Sequence, residues 1–320
     1  AAYKYHHNTH LRDPMKKVFF INGGAGRVIA SIPALEESEK RGELAGIVCE
    51  GGMEFYMGHP TLQNKAWDVN HKGLFDTLVK DNLCISPEPY RDHAYYNQKS
   101  SLQQSFWWEI LGERTEENRR PTITLNKQEE MTAMDILSQV RNQHKKEKTI
   151  VLQPFGRSSQ MASGVVYDGS SRSIEQSTFI ELIADLSKDF NIVYMGEHKL
   201  EVVNLPIFQP NDIMPLRVWA AVIESADYFI GCDSVGQHIA YSFNKPGTVV
   251  CGSTFPINTT YPEHFNIVEK KGFDRVYSPI RIAGFGSEEA DRLNDMCMDF
   301  SKEELKEIIS GIRAHIKKTT

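Results

Sequence analysis

The sequence predicts an α/β protein of two domains, each a parallel sheet wound with helices, facing one another across a cleft. Three observations carry this expectation. The 320 residues, 40% of them hydrophobic, are enough to bury two cores. Short β-prone apolar runs alternate with segments of helical period in both halves, the order that produces right-handed parallel units. Between the halves, residues 113–148 are highly charged and read as a connection with solvated faces.

The first strand is KVFFIN at residues 17–22, short and apolar as a buried parallel strand should be. Gly23, Gly24, Ala25 and Gly26 make a tight turn. Val28, Ile32 and Leu35 then recur at helical spacing through residues 27–40, with Pro33 expected to kink or delay that helix. Residues 45–49 form the next strand and residues 83–86 a further one. Residues 101–111, carrying Phe106, Trp107 and Ile110, form a helix. The charged connection holds one helix near residues 127–143. The second alternation runs strand 149–153, helix 177–186, strand 191–195, helix 215–225, strand 228–230, helix 236–243 and strand 247–252. A last helix opens at Ser301 with Glu304 three residues on, a capping box. The expected division is a polar leader or tag at 1–14, an amino-terminal Rossmann-like domain with its linker at 15–145, and a carboxyl-terminal Rossmann-like domain with the last helix at 146–320. In such doubly wound sheets the ligand sits beyond the carboxyl ends of the strands.

Composition excludes several classes. A formal net charge of -6 argues against a general nucleic-acid coat protein, though not against a nucleic-acid acceptor in a local groove. Five scattered cysteines without a C-x-x-C signal neither a disulfide framework nor a zinc site, and fit a reducing cytoplasm. No apolar run approaches the ~20 residues that span a bilayer, so the expected location is cytoplasmic, with peripheral contact to the inner membrane face left open.

The strongest constellation is IGCDSVGQH at residues 230–238. A buried strand ends in a small polar turn and a helix begins. Free N–H groups of Ser234, Val235 and Gly236 at the positive end of that helix suit a diphosphate. Asp233 is placed to cap the helix or orient the turn, and His238, one turn on, to face the same pocket. A plain capped helix with a core histidine explains the same residues. Gly252 and Thr254, after the next strand, add a second polar turn at the same sheet edge. Gly156 lets a backbone approach a ligand, and Arg157 and Arg172 are suited to phosphate oxygens; a hydrophilic loop with surface arginines is the alternative. Gly24 and Gly26 fill two positions of a dinucleotide-binding G-x-G-x-x-G, but Ile29 stands at the third. Glu50, after the second strand, is a candidate base, and Arg91 and His93 are candidates for an acceptor pocket. No G-x-S-x-G elbow and no D-x-D occur. The missing D-x-D fits a metal-independent mechanism in which amides and arginines carry a leaving group.

At these residues the sequence resembles glycosyltransferase family 9, the ADP-heptose:lipopolysaccharide heptosyltransferases. Asp233, Ser234, His238, Pro246, Gly252, Thr254 and Pro256 match its carboxyl-terminal signature, with Val235 where the family has glycine and Gly236 following. Gly26, Pro33, Ala34 and Leu35 match its amino-terminal signature. Pro154, Gly156 and Arg172 echo its Pro-Gly turn with a downstream lysine, and Cys297 with the helix at Ser301 is similar to its end. The resemblance implies the GT-B fold and inverting, metal-independent, cofactor-free transfer of a sugar from a nucleoside-diphosphate sugar to a hydroxyl acceptor, glycan or other. It implies a donor side of Gly156, Arg157, Arg172, Asp233, Ser234, Val235, Gly236, Gln237, His238, Gly252 and Thr254. The acceptor side is Gly24, Ala25, Gly26, Arg27, Arg91 and His93, and the catalytic candidates are Glu50, Arg27 and Arg172. One departure bears on mechanism: Arg27 stands where the family has its catalytic aspartate, and a guanidinium is no base at neutral pH. Either Glu50 takes the acceptor proton or Arg27 binds an anionic group. Rival functions are a nucleotide-sugar epimerase, an NAD-dependent oxidoreductase and a non-catalytic nucleotide-sugar-binding protein.

Overall fold

The computed structural model describes residues 15–201, 204–273 and 296–320; the leader expected at 1–14 lies outside them. The amino-terminal half runs β1 (Lys17–Ile21), α1 (Ala25–Lys40), β2 (Leu44–Cys49), β3 (Ala66–Asp68), β4 (Leu83–Ile85), α2 (His93–Tyr96) and α3 (Leu102–Leu111). Its strands form a parallel sheet in the order β3-β2-β1-β4. Then follow α4 (Lys127–His144), β5 (Lys148–Gln153), β6 (Gln160–Ala162), β7 (Val165–Tyr167), α5 (Gln176–Leu186), β8 (Phe190–Tyr194), α6 (Leu216–Ser225), β9 (Tyr228–Cys232), α7 (Val235–Ser242), β10 (Gly247–Cys251), α8 (Pro256–Thr259), β11 (Asn266–Glu269) and α9 (Lys302–Thr319). The second sheet, also parallel, has the order β11-β10-β9-β5-β8, while β6 and β7 form a separate antiparallel hairpin.

Most elements lie where the hydrophobic period places them. Helix α1 buries Val28, Ile29, Ile32 and Leu35 against the first sheet and α3. Each such side chain contributes roughly 1.5–3 kcal/mol. Pro33 sits inside α1, which continues through it to Lys40. Ser101 with Gln104, Asn126 with Glu129, and Ser301 with Glu304 all close reciprocal capping boxes. The charged connection does more than connect. In α4 the buried Ala133, Leu137 and Val140 form an i, i+4, i+7 stripe packed on α6 and β8, so this helix covers one face of the second sheet. Three buried apolar residues in a charged helix of 18 make a stripe that composition conceals.

Sheet order locates the ligand edge. In the first sheet the chain leaves β1 toward β2 on one side and returns as β4 on the other. In the second, β8 and β9 flank β5. Each is a topological switch point, where the turns after neighbouring strands diverge and open a crevice at their carboxyl ends. The two crevices face each other. Buried polar contacts fix the arrangement: Nδ2 of Asn258 donates to the carbonyls of Tyr95 (3.0 Å) and Ser100 (2.8 Å), and Nη1 of Arg120 donates to that of Tyr241 (2.7 Å).

Candidate functional site

Between the facing crevices lies a cleft of about 990 Å³ walled by both domains. The amino-terminal wall is the turn from Gly23 to Arg27, the Glu50–Gly52 turn and Tyr90. The carboxyl-terminal wall comes from the turns after β5, β8 and β9. Helices α1 and α7 point their amino-terminal ends into it. A side-chain carbon at Gly26 would lie 3.3 Å from Nε2 of His238 and 3.9 Å from Cα of Val235. Glycine is therefore what lets the two helix ends meet. One at Gly24 would lie 3.6 Å from Nη1 of Arg157, which reaches across from the other domain. Among the described residues, the N–H groups of Ala25, Gly26, Ser234 and Val235 have no acceptor in the protein. Two positive helix ends and Arg157 attract an anion at this spot, with Arg172, whose Nε and Nη2 are engaged by Asp233, beside them.

The carboxyl-terminal turns are built around two carboxylates. Asp233, 5% exposed, accepts from Nε of Arg172 (3.2 Å), Nε2 of Gln237 (3.0 Å) and Oγ1 of Thr254 (3.0 Å). It therefore orients the turn and holds Arg172 rather than capping α7. Its negative charge in turn raises Arg172 above the usual guanidinium range. Asp168 accepts from the hydroxyls of Ser158 (3.1 Å), Ser170 (2.6 Å) and Ser173 (2.5 Å). Burial works against the ionised Asp168, but these bonds outweigh it and hold the carboxyl below its usual range. Ser173 also accepts the Gly156 N–H (2.9 Å), so Asp168 rigidifies the loop that carries both arginines.

Several expected roles change in the structure. The Gly236 N–H is not free: Oε1 of Gln153 accepts it at 2.9 Å. Gln237 is fully buried, and Gly252 and Thr254 stand behind the cleft wall, where they support Asp233 and the Arg172 loop. Arg27 is 7% exposed. Its guanidinium donates to the Asn22 carbonyl (2.8 Å), Oδ1 of Asn22 (3.1 Å) and Oε1 of Glu88 (3.2 Å), and lies over the Tyr90 ring. The guanidinium is thus paired within the amino-terminal domain, while the residue also lines the cleft. Arg91 and His93 are exposed and lie off the cleft wall. Gly24 and Gly26, whose turn suits an acceptor or a donor phosphate equally, abut Arg157 and His238 of the carboxyl-terminal wall. Gly156, Arg157, Arg172, Asp233, Ser234, Val235, His238 and Glu50 all come together on the wall, and Glu50 is exposed with no bonded partner among the described residues.

Sequence reading placed Gln153 in the turn after its strand without a role, and missed Glu197 and the apolar lining residues Met195, Met214 and Trp219. Glu197 follows the second strand of its sheet, where dinucleotide folds place a ribose-binding carboxylate; that positional signal was available.

His238 is 5% exposed, and burial lowers its imidazole to about 4, with Arg172 reinforcing the shift and Asp233 opposing it. The unfolded chain takes up this proton near pH 6.5 and the folded protein only near pH 4, so stability falls on acidification through that window. The expected loss is about 3 kcal/mol. Urea unfolding at pH 7 and pH 4.5 should show a steeper loss in the wild type than in His238→Gln; equal slopes would contradict it.

No protein-family model matches this sequence, and no curated protein matches it. Solved structures do. A glycosyl transferase family 9 structure from Veillonella parvula aligns over 95% of this chain and 98% of its own, with a TM-score of 0.64 at 13% identity. The ADP-heptose lps heptosyltransferase II of E. coli aligns over 95% and 99%, with a TM-score of 0.59 at 10% identity. TibC, an iron-containing dodecameric glycosyltransferase of enterotoxigenic E. coli, aligns over 96% and 78%, with a TM-score of 0.58 at 12% identity. Among the described residues of this chain, no three His, Cys, Asp or Glu side chains group as metal ligands, and no helix is long and apolar enough to cross a membrane. The two facing parallel-sheet domains are those of a GT-B protein, in the form seen in glycosyltransferase family 9 and the heptosyltransferases.

Proposed function

We propose that this chain transfers a sugar from a nucleoside-diphosphate sugar to an acceptor hydroxyl, with inversion and without a metal. The observation that carries the reading is the meeting of two unsatisfied helix amino-termini, Arg157 and Arg172 at the shared mouth of two topological switch points. A diphosphate leaving group suits that spot, because fixed N–H dipoles and guanidinium groups stabilise the charge that develops as the bond breaks. TibC has been solved in complex with ADP-D-beta-D-heptose, in a fold that superposes on this one with a TM-score of 0.56. In this chain Glu197 would take the ribose hydroxyls and the apolar lining at Met195, Met214 and Trp219 the base. The acceptor oxygen attacks the anomeric carbon from the face opposite the diphosphate. The carbon–oxygen bond to phosphate breaks, the acceptor proton passes to Glu50, and the nucleoside diphosphate departs. Glu50 is the candidate because it is exposed on the wall and unpaired, whereas Arg27 and Glu88 neutralise each other in the core.

The test is a thermal-shift and turnover screen of UDP-, ADP-, GDP- and CMP-sugars. At least one should raise the Tm and be consumed when an acceptor is present. Arg172→Ala should weaken that nucleotide by roughly 10- to 100-fold, the loss of a charge-assisted bond. A screen with no shift for any donor would refute the reading. The buried Arg27–Glu88 pair favours one second reading, a protein that binds the donor without transferring it, which a Tm shift without consumption would identify.

A further inference from the structure

We infer that Tyr261 is a positioning residue: its hydroxyl donates to Nδ1 of His238 and so keeps the imidazole proton on Nε2, making His238 a neutral hydrogen-bond donor to an anionic oxygen held between the two domains. The inference rests on the proposed function only for the identity of that anion.

Oη of Tyr261 lies 2.7 Å from Nδ1 of His238, and the residues are 2% and 5% exposed. A neutral imidazole carries its proton on one nitrogen only, and its partner decides which. With the proton on Nδ1, the imidazole would donate to the Tyr261 oxygen. The phenolic hydrogen would then need another acceptor, and the described residues offer none. A buried donor left without an acceptor is costly. With Tyr261 donating, both groups are satisfied and the remaining proton sits on Nε2. The Nε2 edge of the imidazole stands at the cleft wall beside Gly26, so close that a side chain there would press on the ring. The free N–H groups of Ala25 and Gly26 lie at the same helix end. Burial and the nearby Arg172 keep the ring uncharged at neutral pH, with Asp233 opposing them.

The tyrosine is held for this task. Its ring stacks on Tyr241 at 3.7 Å with an interplanar angle of 6°, and meets the His238 ring edge-on at 88°. Tyr241 is in turn covered by Arg120 from the segment before α4, 4.7 Å from its ring centre. The tautomer is thus set by a stack that reaches the contact between the two domains.

Two-bond proton–nitrogen correlation spectra of protein with ¹⁵N-labelled histidine read the tautomer directly, with the His238 signal assigned by its loss in His238→Gln. The ligand-free wild type at pH 7 should show protonated Nε2 and an unprotonated, hydrogen-bonded Nδ1. Tyr261→Phe should lose the Nδ1 hydrogen-bond signature and mix tautomers, and its affinity for inorganic pyrophosphate should fall by about three- to tenfold. A wild-type spectrum with the proton on Nδ1 overturns the inference, as does an unchanged spectrum in Tyr261→Phe. Should that variant fail to fold, the wild-type Nδ1 shift decides alone: in a neutral ring with its proton on Nε2, an accepted hydrogen bond moves it from the free unprotonated value. Absence of pyrophosphate binding by a wild type with the expected spectrum overturns the anion role. The nucleotide-sugar reading fails separately, in the donor screen.

Discussion

Replacing Arg217 with alanine should lower folding stability by about 3–5 kcal/mol, the usual cost of removing one partner of a buried ion pair. Arg217 opens α6 and is 6% exposed. Its Nε and Nη2 bond both carboxylate oxygens of Glu129 on α4, at 2.6 and 2.8 Å. Nη2 also donates to the Thr124 carbonyl (2.6 Å), and Nη1 to the carbonyls of Glu54 (2.9 Å) and Met57 (3.3 Å). One side chain therefore ties the second domain to the segment before α4 and to the loop after β2. Its removal strands a carboxylate and three carbonyls in a partly buried seam. Arg217→Met should cost nearly as much, because the apolar chain restores packing and leaves the acceptors unpaired. Arg217→Lys should recover only part, since an ammonium cannot span acceptors set for a planar fork. Urea unfolding measures all three. A loss under about 1 kcal/mol for alanine, typical of an exposed pair, would contradict the assignment.

Gly252→Ala should cost roughly 1–3 kcal/mol of stability by overpacking and, on the proposed function, weaken nucleotide-diphosphate binding by about tenfold, the loss of one charged contact. Gly252 follows β10 and does not touch the cleft. A side-chain carbon there would lie 2.0 Å from the backbone oxygen of Ser171 and 2.9 Å from Cγ of Met298. Backbone cannot yield as a flexible side chain does. The Ser171 loop is also hung on the next residue: the Ser253 N–H donates to the Ser171 carbonyl (3.1 Å) and its hydroxyl to the Ser170 carbonyl (2.6 Å). Pushing Ser171 moves Arg172 off Asp233. Calorimetry with the nucleotide found in the donor screen, beside chemical unfolding, reads both effects. Gly311→Ala, exposed on α9 with open space around it, is the control and should be neutral or slightly stabilising. Wild-type affinity in a folded Gly252→Ala protein would show that Arg172 is not held this way.

The parts of the fold legible in the sequence are those written in short-range pattern. The strands at KVFFI and YFIGC, the amphipathic helices and the capping box at Ser301 follow from periodicity and turn chemistry within a few residues. The edge strands β3 and β11 and the β6–β7 hairpin were not legible. Each is three or four residues long and mostly exposed or half-buried, so no apolar run marks it. The apolar face of α4 was hidden by its charge.

The sequence by itself determined which residues stand at the carboxyl ends of the strands, and so which could meet a ligand: the turns at Gly24, Gly156 and Ser234 and the arginine at 172. Tertiary structure alone decided which of their polar groups remain free to do so. The Gly236 N–H goes to Gln153, 83 positions earlier. Arg27 goes to Glu88, 61 positions later, and Asp233 is met by Arg172 at the same separation. Each partner inside the fold claims particular N–H groups or oxygens, and only those left over, such as Nη1 of Arg172 among the described residues, are available for chemistry. Those partners are brought by chain crossovers that no local pattern records.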